Sequence, residues 1–103
     1  MLNTLLQENI DTIRTIAQRH KVSRLYAFGS VCTEHFSEDS DVDFLLSFDR
    51  SRIPLEEYAD NYFNLAEELE TLLGKPVELV EESTLQNPYF IQSVNRTKTP
   101  ILE

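Results

Sequence analysis

The sequence predicts an α/β domain, a small mixed β-sheet with helices mainly on one face, and three observations predict it. Two short runs, residues 24–28 and 42–48, are rich in apolar and aromatic residues and read as strands. A long segment on each side of them repeats apolar residues at helical spacing. A further strand-like run and a further helix-like run then follow in alternation, the order expected of α/β topology.

Taken in order, residues 2–20 read as the first helix. Leu2, Leu6, Ile10, Ile13 and Ala17 recur at spacings of four and three and make one apolar stripe. Lys21-Val22-Ser23 reads as a short connection. The first strand, Arg24-Leu25-Tyr26-Ala27-Phe28, stops at Gly29, and a polar stretch from Thr33 to Ser40 separates it from the second. In that second strand Val42, Phe44, Leu46 and Phe48 share one face, while Asp43, Leu45 and Ser47 share the other.

After a polar link, Asp49-Arg50-Ser51-Arg52, the second helix is expected over residues 54–73. Pro54 suits its first turn, Glu56 and Glu57 suit the positive end of its dipole, and Gly74 suits its C′ position. Tyr58, Tyr62, Leu65, Leu69 and Leu72 form its core stripe. Ala59, Phe63, Ala66 and Leu73 widen the apolar arc enough to serve a partner surface as well, and Asp60, Glu67, Glu68 and Glu70 read as a solvated face. A strand over residues 76–80 and a helix over residues 88–96 come next, with Asn87 as N-cap of the helix. Residues 99–102 suit an edge strand, where Pro100 is tolerated, and Leu102-Glu103 read either as its end or as an appended tail.

The chemistry concentrates where the first strand meets the second. Gly29-Ser30, then ten residues, then Asp41-Val42-Asp43 joins a small turn to two carboxylates one residue apart. With Val42 in a strand, Asp41 and Asp43 project from the same face, their Cα atoms about 6–7 Å apart. Carboxylates at that spacing can share Mg²⁺, a hard ion that takes oxygen ligands and keeps coordination sites for water and phosphate. Beside so much apolar surface, paired acids without a cation or hydrogen-bonding partners are costly. A bare Asp-x-Asp is more often a solvated turn; Gly-Ser at this offset, with strands on both sides, favours a site.

On these residues the sequence resembles the minimal nucleotidyltransferases of the DNA polymerase β-like superfamily. The shared pattern is Gly29-Ser30, the Asp41-Val42-Asp43 pair, Ser40 before it and Phe44-Leu45-Leu46 after it, and the likeness extends over almost the whole chain. It implies that Gly29 and Ser30 hold nucleotide phosphates and that Asp41 and Asp43 bind divalent metal. It implies a third carboxylate on a later strand, here Glu78 in Lys75-Pro76-Val77-Glu78-Leu79-Val80. One or two Mg²⁺ ions, with Mn²⁺ as an alternative, and ATP as substrate are the implied cofactor and nucleotide. A HEPN-domain toxin is the implied partner, with this chain as its antitoxin and some relatives transferring AMP onto the toxin. Two positions depart from the pattern: Glu34 stands where many relatives carry Gly, and Glu78 where Asp is usual.

Composition bounds the rest. The 103 residues make one small domain, and 41% hydrophobic content suffices for a modest core. A net charge of −9 argues against direct nucleic-acid binding and fits a basic protein partner. Cys32 is the only cysteine, so no intrachain disulfide forms, which is compatible with a cytoplasmic protein. His20 and His35 lack zinc-ligand spacing, and no run suits a membrane span or signal peptide. The leading expectation is a metal-dependent nucleotidyltransferase acting on a protein hydroxyl, with Asp41, Asp43 and Glu78 catalytic and metal-binding. One alternative is a module that neutralises its partner by contact alone; another is an antibiotic-type enzyme acting on a small molecule. Homo-oligomerisation stays open, since a partner or a second copy is needed to complete so small a site.

Overall fold

Alternating apolar side chains place the two motif strands at the centre of the sheet. In the computed structural model, which describes residues 3–103, β1 (Val22–Phe28) and β2 (Val42–Phe48) pair antiparallel. β3 (Val77–Glu81) adds parallel to β2, and β4 (Thr99–Leu102) adds antiparallel to β1. The order β3-β2-β1-β4 makes a mixed sheet, as expected. β1 begins earlier than the sequence suggests: Val22 is buried and pairs with Phe48, so Val22 and Ser23 belong to the strand rather than to a connection. The terminal Leu102 pairs with Leu25, and Ile101 is buried, so this segment is part of the sheet.

One face of the sheet carries Leu25, Ala27, Val42, Phe44, Leu46 and Leu79, and the main core forms there. Against it pack α1 (Thr4–Glu8), α2 (Ile10–Arg19) and α3 (Tyr58–Leu73) through Leu6, Ile13, Ala17, Leu65 and Leu69, all fully buried. The apolar stripes read from the sequence are these contacts; Leu2 lies outside the described residues. The first helix is not continuous. It breaks at Asn9, whose side-chain amide donates to the Leu5 carbonyl at 2.8 Å and whose backbone leaves helical geometry. A short polar side chain that bonds the preceding turn competes with the helical ladder.

The second helix opens with a 3₁₀ turn, Leu55–Glu57, because Pro54 is extended and the α-helix takes hold only at Tyr58. Gly74 ends it at φ +67, the left-handed conformation that only glycine adopts cheaply. α4 (Pro88–Thr97) starts where Asn87 caps the Tyr89 amide at 2.9 Å. It packs on the other face of the sheet, where Val94 joins Phe28 and Leu45 in a second small core and Phe90 meets Phe28 edge-on at 6.1 Å. α4 thereby covers part of the sheet face opposite the main core.

Candidate active site

The end of β1 and the beginnings of β2 and β3 meet at one end of the sheet. Asp43 is the antiparallel partner of Phe28 and the parallel partner of Glu78. Strand register therefore puts Asp43 between the Gly29 turn and the Glu78 carboxylate. No spacing rule in the sequence places Glu78 there; the β2–β3 pairing does.

Gly29 opens a 3₁₀ turn, Gly29–Cys32, at φ +78. A Cβ at this position would stand 2.7 Å from Asp43 Oδ2. Both the backbone conformation and the closeness of the carboxylate demand glycine. The Gly29 N–H donates to Thr97 Oγ1 at 2.8 Å, at the last residue of α4. The amide of Gly29, one of the two residues expected to hold phosphate, is thus engaged within the fold by Thr97. Val31, 1% exposed, anchors the turn in the core.

Burial pushes the Asp43 carboxyl up, and the charges of Glu78 and then Asp41, with a side-chain hydrogen bond to Glu78, raise it further, to about 6. Such a value marks a half-buried acid held among like charges. Asp41 lies just ahead of β2, exposed, and acts on Asp43 through its charge. Among the described residues no three acidic, histidine or cysteine side chains already converge closely enough to hold a metal ion. The tight element is the Asp43–Glu78 pair. Its chemistry fits a hard divalent cation nonetheless: hard carboxylate donors, and a repulsion that a cation would relieve.

Sequence reasoning did not foresee how Lys75 and Thr97 frame this site. Lys75 Nζ donates to the carbonyls of Glu38 at 2.8 Å and Ser37 at 3.2 Å, and lies 5.0 Å from the centre of the Phe36 ring. Next to it, the Pro76 carbonyl accepts from Val42 N–H at 2.9 Å. The chain entering at Asp41 is therefore braced on both sides. Of the other cations, Arg50 bonds Glu81 at 2.9 Å and stacks on Tyr58, whereas Arg52 and Arg96 are exposed.

The remaining candidates take structural places. Glu34 and His35 are exposed in the loop. Burial pushes the half-buried Cys32 thiol up, which keeps it protonated and poorly nucleophilic. His20 joins Glu68 and lies 3.3 Å from Asn61 Oδ1, bridging α2 to α3. Beside it a groove of about 760 Å³ opens between these helices, on the main-core side rather than at the carboxylates. No helix among the described residues is long and apolar enough to cross a membrane.

Residues 11–103 match the family model described as polymerase beta, nucleotidyltransferase. Protein adenylyltransferase MntA of Thermococcus cleftensis is 35% identical over 88 residues, covering 81% of this chain and 84% of that protein. The solved structure of a candidate minimal nucleotidyltransferase is 31% identical, with TM-score 0.75, over 97% of this chain and 96% of that one. An MNT antitoxin in complex with a tri-AMPylated HEPN toxin of Shewanella oneidensis shares the fold at TM-score 0.63 and 20% identity, over 92% of this chain and 70% of that one.

Proposed function

The chain belongs to the polymerase β nucleotidyltransferase family, and from that premise we propose that it transfers AMP from ATP to a hydroxyl on a HEPN-type partner, as the antitoxin of a cytoplasmic toxin–antitoxin pair. The observation that carries this reading is the register that sets Asp43 between the Gly29 turn and Glu78. The MntA relative, named a protein adenylyltransferase, and the AMPylated HEPN complex that shares this fold support the choice of nucleotide and acceptor.

In this reading Ser30 receives the phosphates of ATP at the turn, and Gly29 lets the turn approach Asp43. Asp41, Asp43 and Glu78 hold Mg²⁺, or Mn²⁺, which supplies positive charge that polarises the phosphate and offsets the charge of the leaving pyrophosphate. The acceptor's hydroxyl oxygen attacks the α-phosphorus, and the bond from that phosphorus to the pyrophosphate oxygen breaks. The hydroxyl proton passes to the Asp43–Glu78 carboxylate pair, and pyrophosphate leaves with the bonding electrons.

Calorimetric titration of ATP into the protein, with Mg²⁺ and with EDTA, tests the site. Binding should require both the metal and Asp43, and should vanish in Asp43→Asn. Binding that survives EDTA and the substitution would overturn the assignment. Two observations favour a second reading, partner neutralisation by contact alone: Asp41 stands outside the tight pair, and Gly29's amide is already engaged. Under that reading Asp41→Asn and Asp43→Asn proteins inhibit the partner as well as wild type.

A further inference from the structure

The motif turn is softest at the residue its packing demands. Gly29 must be glycine, because a Cβ there would stand 2.7 Å from Asp43 Oδ2 and the residue sits at φ +78. Lacking a side chain, it is also the residue least able to hold its own backbone in one conformation. The downstream half of the turn is secured within itself. Val31 is buried, and the Thr33 N–H and hydroxyl both donate to the Ser30 carbonyl at 2.9 Å. Neither tie reaches the Phe28–Gly29 peptide, which sets where the turn departs from β1.

That peptide is held from the far end of the chain. β1 and β4 pair antiparallel, with Tyr26 opposite Pro100 and Ala27 opposite Thr99. Continued by two residues on each strand, the same register puts Thr97 opposite Gly29. An antiparallel ladder would supply a backbone carbonyl there, but Thr97 is the last residue of α4. Its hydroxyl takes the carbonyl's place and accepts from the Gly29 N–H at 2.8 Å. The Thr97 carbonyl is itself tied down by the Thr99 hydroxyl, which donates to it at 3.0 Å. Thr99 also reaches the other end of the turn. Burial pushes the Cys32 thiol up, and a hydrogen bond with the Thr99 side chain opposes that push. Residues 97–99 thus hold the turn Gly29–Cys32 at its first residue and its last.

We propose that Thr97 is a positioning residue for the nucleotide: its hydroxyl, braced by Thr99, fixes the Phe28–Gly29 peptide and holds the Gly29-Ser30 turn against Asp43. This rests on the reading that the turn receives the phosphates of ATP. Thr97 touches no substrate and acts through Gly29. Without its hydroxyl, binding must first order the turn, and the cost of that ordering appears as weaker affinity. The engaged Gly29 amide then serves nucleotide binding indirectly, by keeping the turn in its receiving shape.

The test compares three variants of the full chain. Thr97→Val keeps the side chain's shape and removes the acceptor, while Thr97→Ser keeps the hydroxyl. Ile101→Val, at a buried position of β4 away from the turn, controls for a general loss of stability. In the ¹⁵N-labelled protein without nucleotide, Thr97→Val should speed Gly29 amide exchange about tenfold and lower the order parameters of Gly29 and Ser30. Thr97→Ser should show neither change. Calorimetric titration with MgATP should give about fivefold weaker affinity in Thr97→Val, near wild-type affinity in Thr97→Ser and no loss in Ile101→Val. An unchanged turn in Thr97→Val, no rescue by Thr97→Ser, or an equal loss of affinity in Ile101→Val would each overturn the inference. So would tighter binding by Thr97→Val, which would mean that phosphate needs the Gly29 amide itself. Wild-type protein that binds no MgATP, with a turn that loosens in Thr97→Val, sinks the proposed function and leaves the positioning of the turn standing. Wild-type and Thr97→Val proteins that bind MgATP equally sink this inference alone.

Discussion

Asp43 sits where burial and two neighbouring carboxylates oppose its ionisation, which makes its stability effect opposite to its catalytic one. Its folded pKa, about 6, lies above the ordinary carboxylate value. The folded state therefore binds this proton more tightly than the unfolded chain. The resulting stabilisation is fully present below the ordinary value and is lost as pH rises through about 6. Asp43→Asn should raise the melting temperature of the metal-free protein at neutral pH by roughly 2–5 °C, and the gain should shrink as pH falls through about 6 and vanish towards the ordinary carboxylate value, near about pH 4. Thermal unfolding in EDTA at both pH values reads this out; a variant less stable than wild type at neutral pH would show that the carboxylate is not strained. Gly29 predicts the opposite sign. Gly29→Ala puts a methyl 2.7 Å from Asp43 Oδ2 on a backbone at φ +78. It should cost at least about 1–2 kcal/mol in urea unfolding, and nucleotide binding with it.

The elements that hold the site are not those that carry its motif. Asp41, Asp43, Gly29 and Ser30 were legible in sequence because β1 and β2 are local, alternating and joined by a polar loop. The helices were legible from their stripes, and Gly74 and Asn87 marked two of their ends. Two tethers were not legible, because they join segments far apart in the chain: Thr97 reaches Gly29 across 68 positions, and Lys75 reaches Ser37 across 38. Lys75 carries no sequence signal beyond a charge beside a turn, and Thr97 is one polar residue at a helix end. The break at Asn9 escaped notice because apolar spacing continues through it. Each tether makes its own prediction. Thr97→Val keeps the shape but removes the acceptor for the Gly29 N–H, and should lower stability by about 1 kcal/mol in urea unfolding. Lys75→Met should speed hydrogen exchange at the loop amides, including that of Ser40, which bonds the Ser37 carbonyl at 3.1 Å. Lys75→Arg should restore most of the protection; unchanged exchange in Lys75→Met would mean the loop is held by its own turn alone.

At the scale of the whole molecule, the charge of −9 acts differently on the two ligands the proposed function requires. MgATP is an anion approaching an acidic domain, and its local attraction to the site works against the field of the surface. A basic protein partner, the kind an acidic surface fits, is drawn in by the same field. Salt shortens the reach of both effects, from about 30 Å at 0.01 M to about 10 Å at 0.1 M. Raising the ionic strength over that range should leave MgATP affinity unchanged or improved, while slowing partner association by about tenfold, as expected when steering of opposite charges is screened. Calorimetry of the nucleotide and stopped-flow mixing with the partner measure the two halves in one buffer series. A partner on-rate indifferent to salt would mean that the acidic surface does not guide docking. A nucleotide affinity that fell steeply with salt would mean that ATP meets a local cationic patch, with exposed Arg52 and Arg96 the first side chains to substitute. Because the two responses should diverge, their comparison separates a field spread over the whole surface from a charge placed in the site.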